Sequence, residues 1–170
     1  MSDDLWQLHF SPLTAEHVAQ ILAWRYPPPY DIYNMGKETA DPIELIEAID
    51  YFLQPRFHFQ AVLGQPADEL VAFCSFGLDG QVGGGDYSSE AIDIGMGVRP
   101  DLTGCGLGGM FVGAVIDFAC KTFASPRLRV TIAAFNHRAQ KVWRRHGFEQ
   151  VQQFHSHDGK RPFIMFVRDI

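Results

Sequence analysis

Val98-Arg99-Pro100-Asp101-Leu102-Thr103-Gly104-Cys105-Gly106-Leu107-Gly108-Gly109-Met110-Phe111 is the stretch on which the reading of this chain turns. A strand-like run, Ala91 to Val98, stops at Arg99-Pro100, because proline has no amide to give to a continuing ladder. The apolar run Met110 to Phe123 that follows is long enough for a buried helix. The glycines in between lay a row of backbone N–H groups at the start of that helix. Such amides lack intrahelical partners and sit at the positive end of the helix dipole, so they attract a phosphate or pyrophosphate. Glycine suits the position because an anion must come close to the backbone and a side chain would block it. A plain glycine turn with tight helix packing fits the same residues.

On the N-terminal side, Leu5 to Phe10 places Leu5, Gln7 and His9 on one side and Trp6, Leu8 and Phe10 on the other, the alternation of a first strand. Thr14 is an N-cap candidate for a helix over Ala15 to Trp24, which must end before Pro27-Pro28-Pro29. The prolines predict a stiff extended loop from Arg25 to Asn34, carrying Tyr26, Tyr30 and Tyr33. Asp41-Pro42 opens a second helix through about Phe52. Phe57 to Leu63 and Glu69 to Gly77 read as a hairpin, and the glycine-rich Gly80 to Ser89 as a mobile loop or wide turn. Beyond the glycine cluster come a strand at Leu128 to Ala134, a helix at Asn136 to His146, and strands at Phe148 to His155 and Pro162 to Arg168 about an Asp158-Gly159 turn. The order βααβββαβαββ predicts an α+β fold: a mixed, mostly antiparallel sheet of seven strands with helices on both faces.

The 170 residues suit one domain spanning 1–170, and a 46% hydrophobic content supplies a core. With 14 Lys and Arg against 20 Asp and Glu, the net charge of −6 lacks the basic footprint of a nucleic-acid binder and mildly favours a cationic substrate. No window is apolar enough for a membrane span, and Met1-Ser2-Asp3-Asp4 does not open like a signal peptide, so the expectation is a soluble, cytoplasmic protein with no membrane partner. Cys74, Cys105 and Cys120 form no C-x-x-C pair, which points to packing rather than disulfides or zinc. His155-Ser156-His157-Asp158 has no third ligand placed by sequence, so no metal is expected.

Three classes of phosphate site compete for the glycine loop. A P-loop needs Gly-Lys-Ser/Thr, whereas Met110 and Phe111 follow Gly109. A dinucleotide fingerprint is met formally by Gly104, Gly106 and Gly109, with Arg129 where a 2′-phosphate contact would fall, which keeps an NADP-binding oxidoreductase as an alternative. That fingerprint belongs on the first turn of a repeated βαβ domain, and here two helices and a hairpin precede it. Third, the loop is followed by Asn136-His137-Arg138-Ala139-Gln140-Lys141-Val142-Trp143-Arg144-Arg145-His146-Gly147-Phe148, and the two runs together resemble the GNAT superfamily of acetyl-CoA-dependent N-acetyltransferases over essentially the whole chain.

The resemblance implies acetyl-CoA as co-substrate and transfer of its acetyl group to a primary amine of a small molecule or peptide, by a monomer or homodimer. It implies that Met96, Gly97 and Val98 offer backbone groups to the pantetheine arm and thioester, and that Thr103, Gly104, Cys105, Gly106, Leu107 and Gly108 hold the pyrophosphate. Asn136 is implied to reach the pantetheine, and is equally an N-cap; Arg138, with Lys141, Arg144 and Arg145, forms a basic face for the 3′-phosphate or for solvent. Thr103 stands where the family usually has Gln or Arg. Trp143 aligns with the cofactor-side tyrosine that many members use as general acid, and an indole N–H cannot serve so at neutral pH. That replacement keeps a catalytically silent acetyl-CoA-binding module as a second alternative. Asp93 is the expected base, with Glu90 or a water chain as substitutes, or else Asp93 pairs with an arginine; Tyr30, Tyr33 or water would supply the proton to the leaving thiolate.

Overall fold

The computed structural model describes residues 6–37 and 41–170. Its elements are β1 (Gln7–Pro12), α1 (Ala15–Ala23), α2 (Pro42–Phe52), β2 (Gln60–Gln65), β3 (Glu69–Phe76), β4 (Ile92–Val98), α3 (Gly108–Thr122), β5 (Arg127–Ala133), α4 (His137–Arg145), β6 (Glu149–His155) and β7 (Pro162–Asp169). This is the expected order, a mixed α+β fold with a seven-stranded, mostly antiparallel sheet in the order β1-β2-β3-β4-β5-β7-β6. β1 pairs antiparallel with β2, β2 with β3, β5 with β7 and β6 with β7, while β4 and β5 run parallel. A dinucleotide fold needs a repeated parallel βαβ core, so the NADP reading is set aside.

Local chemistry sets the helix starts. The Thr14 hydroxyl accepts the His17 N–H, and the Asp41 carboxylate accepts the Ile43 N–H at 2.9 Å with Pro42 in the first turn. Two segments depart from expectation. Residues 25–34 are not extended throughout: a 3-10 turn forms over Tyr30–Tyr33, its end closed by Asn34 N–H on the Asp31 carbonyl, and the Asn34 side chain accepts the Tyr26 N–H at 2.7 Å. A second 3-10 turn at Pro55–Phe57, followed by His58 at φ 48°, delays β2 to Gln60. Leu5, at the start of the expected first strand, and the Met1 to Asp4 opening lie outside the described residues.

The chain divides into two compact units, Met1–Cys74 with Gly97–Thr103, and Ser75–Met96 with Gly104–Ile170. In the first, Val18 and Ile21 of α1, Trp24 just after it and Phe52 of α2 bury against Phe57, Phe59, Ala61, Leu70 and Phe73. The rings of Phe52 and Phe59 lie 4.6 Å apart between centroids, tilted by 46°, and such pairs add to simple area burial. In the second, Phe111, Val112, Val115, Ile116 and Ala119 form the buried face of α3, and Phe76 stacks on Phe118 at 5.5 Å. Of the cysteines, Cys74 is buried as a packing residue should be, whereas Cys105 and Cys120 are exposed and outside any disulfide. No described helix is long and apolar enough to cross a membrane.

Candidate active site

The parallel ladder between β4 and β5 covers Ile92–Leu128, Asp93–Arg129 and Ile94–Val130 and goes no further, although β5 continues to Ala133. The Asp93 carbonyl accepts the Gly77 N–H at 2.8 Å. Backbone groups of successive strand residues turn to alternate edges, so Met96 directs its N–H and C=O to the opposite edge, the one that has just lost its β5 partner. Downstream, the Val98 carbonyl accepts the Tyr26 hydroxyl at 2.7 Å, and the Arg99 N–H reaches the Val71 carbonyl at 2.9 Å. Burial pushes the Tyr26 phenol well above its usual range, so it remains a donor at any ordinary pH.

The glycine loop adopts a shape only glycine takes easily. Gly104 and Gly106 have φ of +70° and +80°, the left-handed region that costs an L-residue roughly 1–2 kcal/mol. No side chain caps the start of α3. A Cβ added to Gly104 would lie 3.0 Å from Nη1 of Arg138, while one on Gly106 would meet nothing within 4 Å. The loop is therefore an open concavity of backbone with one guanidinium beside it, a fit for a pyrophosphate. Gly108 comes so close to Val142 that a Cβ would stand 3.1 Å from its side chain, and this holds α3 against α4. Thr103 turns its hydroxyl back to the Pro100 carbonyl at 2.7 Å.

Gly104, Cys105, Gly106, Leu107, Gly108 and Arg138 are thus brought together. The expected basic face divides: Lys141, Arg144 and Arg145 line a shallow depression of about 490 Å³ with His137 and Gln140, without Arg138. Asn136 caps α4, its Oδ1 accepting the Ala139 N–H at 3.1 Å. Trp143 is 4% exposed and packs edge-on against Phe148, centroids 4.9 Å apart, so it serves the core. In the first unit, Tyr30 and Tyr33 are half-buried in the 3-10 turn, with Tyr33 edge-on to Tyr26 at 6.4 Å. Gly97 closes on Phe73, whose ring would stand 2.5 Å from an added Cβ.

Asp93, the expected base, is only 2% exposed. Arg129, 1% exposed, grips it with Nε–Oδ1 at 2.6 Å and Nη2–Oδ2 at 2.9 Å, and Gln81 Nε2 donates to Oδ2 at 2.9 Å. The other guanidinium nitrogen donates to the Ser89 carbonyl at 3.0 Å, and the ring of Tyr87 lies 4.9 Å beneath. The Asp93 hydrogen bond raises the Arg129 pKa, against the opposing effect of burial. This is the arginine partnership that stood beside the base reading. Glu90 is exposed. The glycine-rich segment after β3 is a pinned wide turn: Tyr87 receives the Val82 N–H at 2.9 Å and bonds the Thr131 hydroxyl at 2.8 Å. Sequence reasoning passed over three polar residues here, Ser75, Asp79 and Tyr87. The available signal was Ser75 itself, a hydroxyl within the apolar run Leu70 to Phe76, which demands a partner once buried.

The fold is shared with solved N-acetyltransferases. A spermidine N-acetyltransferase SpeG chimera from Vibrio cholerae and hSSAT aligns with a TM-score of 0.70 at 12% identity, over 96% of this chain and 95% of that one. The aminoglycoside acetyltransferase AAC(6')-Ib in complex with coenzyme A gives 0.71 at 14% identity, over 96% and 95%. Campylobacter jejuni N-acetyltransferase PseH gives 0.65 at 14%, over 97% and 98%. No curated protein matches the sequence significantly. The chain belongs to the acetyltransferase (GNAT) domain family, which matches residues 7–149.

Proposed function

We propose that this protein binds acetyl-CoA and transfers its acetyl group to a primary amine by direct attack on the thioester, the whole chain acting as one acetyltransferase domain. The observation that carries the reading is the open glycine concavity at the start of α3, with Arg138 beside it, in the unit where β4 and β5 part. Backbone N–H groups of 104–108 and the Arg138 guanidinium would hold the pyrophosphate. Acetyl-CoA would supply the activated acyl group. The Met96 N–H, turned to the open edge of β4, is the donor placed for charge developing on the carbonyl oxygen, a contribution of several kcal/mol in acyl transfer. A thiol of pKa about 8.5 departs readily as thiolate, so a buried Trp143 in place of an acid does not prevent turnover; water would complete the protonation. Asp93 contributes structure through Arg129, and Asn136 holds the start of α4. Spermidine and aminoglycoside enzymes among the structural relatives, together with the −6 charge, support a cationic acceptor. We place the reaction in the cytoplasm, one of the compartments that hold acetyl-CoA.

Thermal unfolding with acetyl-CoA, CoA, NADPH or no ligand tests this. At ~100 times the dissociation constant a ligand adds about 2.7 kcal/mol, a rise of roughly 5–11 °C for a domain of this size. A rise with the CoA species alone is the expected result, and no rise refutes the reading. The buried Trp143 favours one rival, a silent acetyl-CoA-binding module. Acetylation of any amine disposes of it.

A further inference from the structure

We propose that Asp79 is the carboxylate that receives the acceptor amine and takes its proton; this rests on the transfer reading above. The chain leaving β3 folds back over β4 through the Gly77 N–H on the Asp93 carbonyl at 2.8 Å and the Gly80 N–H on the Gly77 carbonyl at 3.0 Å. The approach is tight, for a Cβ on Gly80 would stand 3.1 Å from the carbonyl carbon of Ile94. Asp79 lies within this turn. Its Oδ2 accepts the Ser75 hydroxyl at 2.7 Å, and Ser75, 0% exposed, is fixed at the end of β3. A Cβ on Gly95 would stand 2.5 Å from Ser75 Oγ and 3.3 Å from Asp79 Oδ2. The carboxylate therefore rests on the bare backbone of Gly95, the first residue of β4 beyond the last β5 pairing, directly before Met96.

Two carboxylates thus lie along one face of β4, since alternate strand residues share a face. Asp93 is sealed and neutralised by Arg129. Asp79 is half-buried, reachable from solvent, and oriented from beneath by a buried hydroxyl. The chemistry requires such a group. As the amine nitrogen forms its bond to the thioester carbon, the nitrogen becomes strongly acidic and its proton passes to Asp79. The C–S electron pair leaves on sulfur, and the proton returns through water to the thiolate, so amine and thioester become amide and thiol with nothing left over.

The test compares wild type with Asp79→Asn, Asp79→Glu and Ser75→Ala, using acetyl-CoA with spermidine, kanamycin and glycinamide as acceptors. Product is read by mass spectrometry, because Cys105 and Cys120 are exposed and would react with thiol reagents. Removing a positioned general base costs about 10²–10⁴-fold. The expected result is that Asp79→Asn loses at least 100-fold in kcat/KM while keeping its melting temperature and its acetyl-CoA shift. Asp79→Glu recovers part of the rate, and Ser75→Ala loses less than Asp79→Asn. Wild-type turnover matched by Asp79→Asn overturns the role of Asp79 alone. A wild type without an acetyl-CoA shift, or with a shift and no product from any of the three amines, overturns the transfer reading and this proposal with it.

Discussion

Truncating Asp93 to alanine leaves the Arg129 guanidinium buried without its counter-ion, and the cost is worked from the geometry. Arg129 loses the bonds at 2.6 and 2.9 Å and keeps those to Ser89 at 3.0 and 3.3 Å, while Gln81 loses its acceptor. Breaking a buried pair by removing one partner costs about 3–5 kcal/mol, since the remaining charge cannot recover its hydration. At about 2–4 °C per kcal/mol for a domain of this size, the melting temperature falls by about 6–20 °C. The fall is the same at pH 6 and pH 9. A cation whose folded pKa is raised above its already high unfolded value contributes its stability in full below that unfolded value and loses it only as pH rises through the folded one. The double variant Asp93→Leu with Arg129→Met recovers most of the loss, because an apolar pair of similar volume replaces two desolvated charges. Circular dichroism melts of the three proteins provide the measurement. A drop below about 3 °C, or a double variant as unstable as the single, refutes the structural role. An Asp93→Ala protein that melts normally but transfers no acetyl group would return Asp93 to the role of base.

Gly106→Ala separates strain from ligand loss: its Cβ meets no protein atom within 4 Å, so the cost in stability is confined to roughly 1–2 kcal/mol of backbone strain at φ +80°, while the acetyl-CoA thermal shift is lost. An undiminished shift would take the pyrophosphate away from this loop. Tyr26→Phe leaves the Val98 carbonyl without its side-chain donor, lowering stability by about 1 kcal/mol, or roughly 2–4 °C in a melt. Asp101 has its pKa lowered chiefly by the Arg99 hydrogen bond, so its stabilising effect is present above the unfolded value of about 3.9 and is lost as pH falls through the lower folded one. At 62% exposure this amounts to no more than about 1 kcal/mol, and Asp101→Asn flattens acid melts taken between pH ~5 and ~2 by that amount.

What the chain declares on its own surface of local chemistry is accurate to the residue. Asp41-Pro42 marks the start of α2, Thr14 that of α1 and Asn136 that of α4, because a cap acts within three positions of itself. The glycine loop is legible for the same reason: positive φ and a bare helix start are properties of neighbouring residues. The Asp93–Arg129 bond spans 36 positions, and no local pattern announces it. Alternation along Ile92, Asp93 and Ile94 is no guide either, because β4 is a central strand with Asp93 and Ile94 both buried, and alternation there does not separate inside from outside.

Four glycines made the segment after β3 look loose, whereas Tyr87 and Ser89 fasten it to Thr131 and Arg129, again across more than 35 positions. The legible and the hidden parts of the site thus divide by the range of the forces that build them. Backbone conformation and capping are set by adjacent residues and shape the glycine loop. Buried polar side chains must find partners wherever the fold brings them. Ser75 and Asp93 are the two such residues in the strands flanking the turn. From sequence, each states only that a partner is required. The fold then gives one of them Arg129 and the other Asp79.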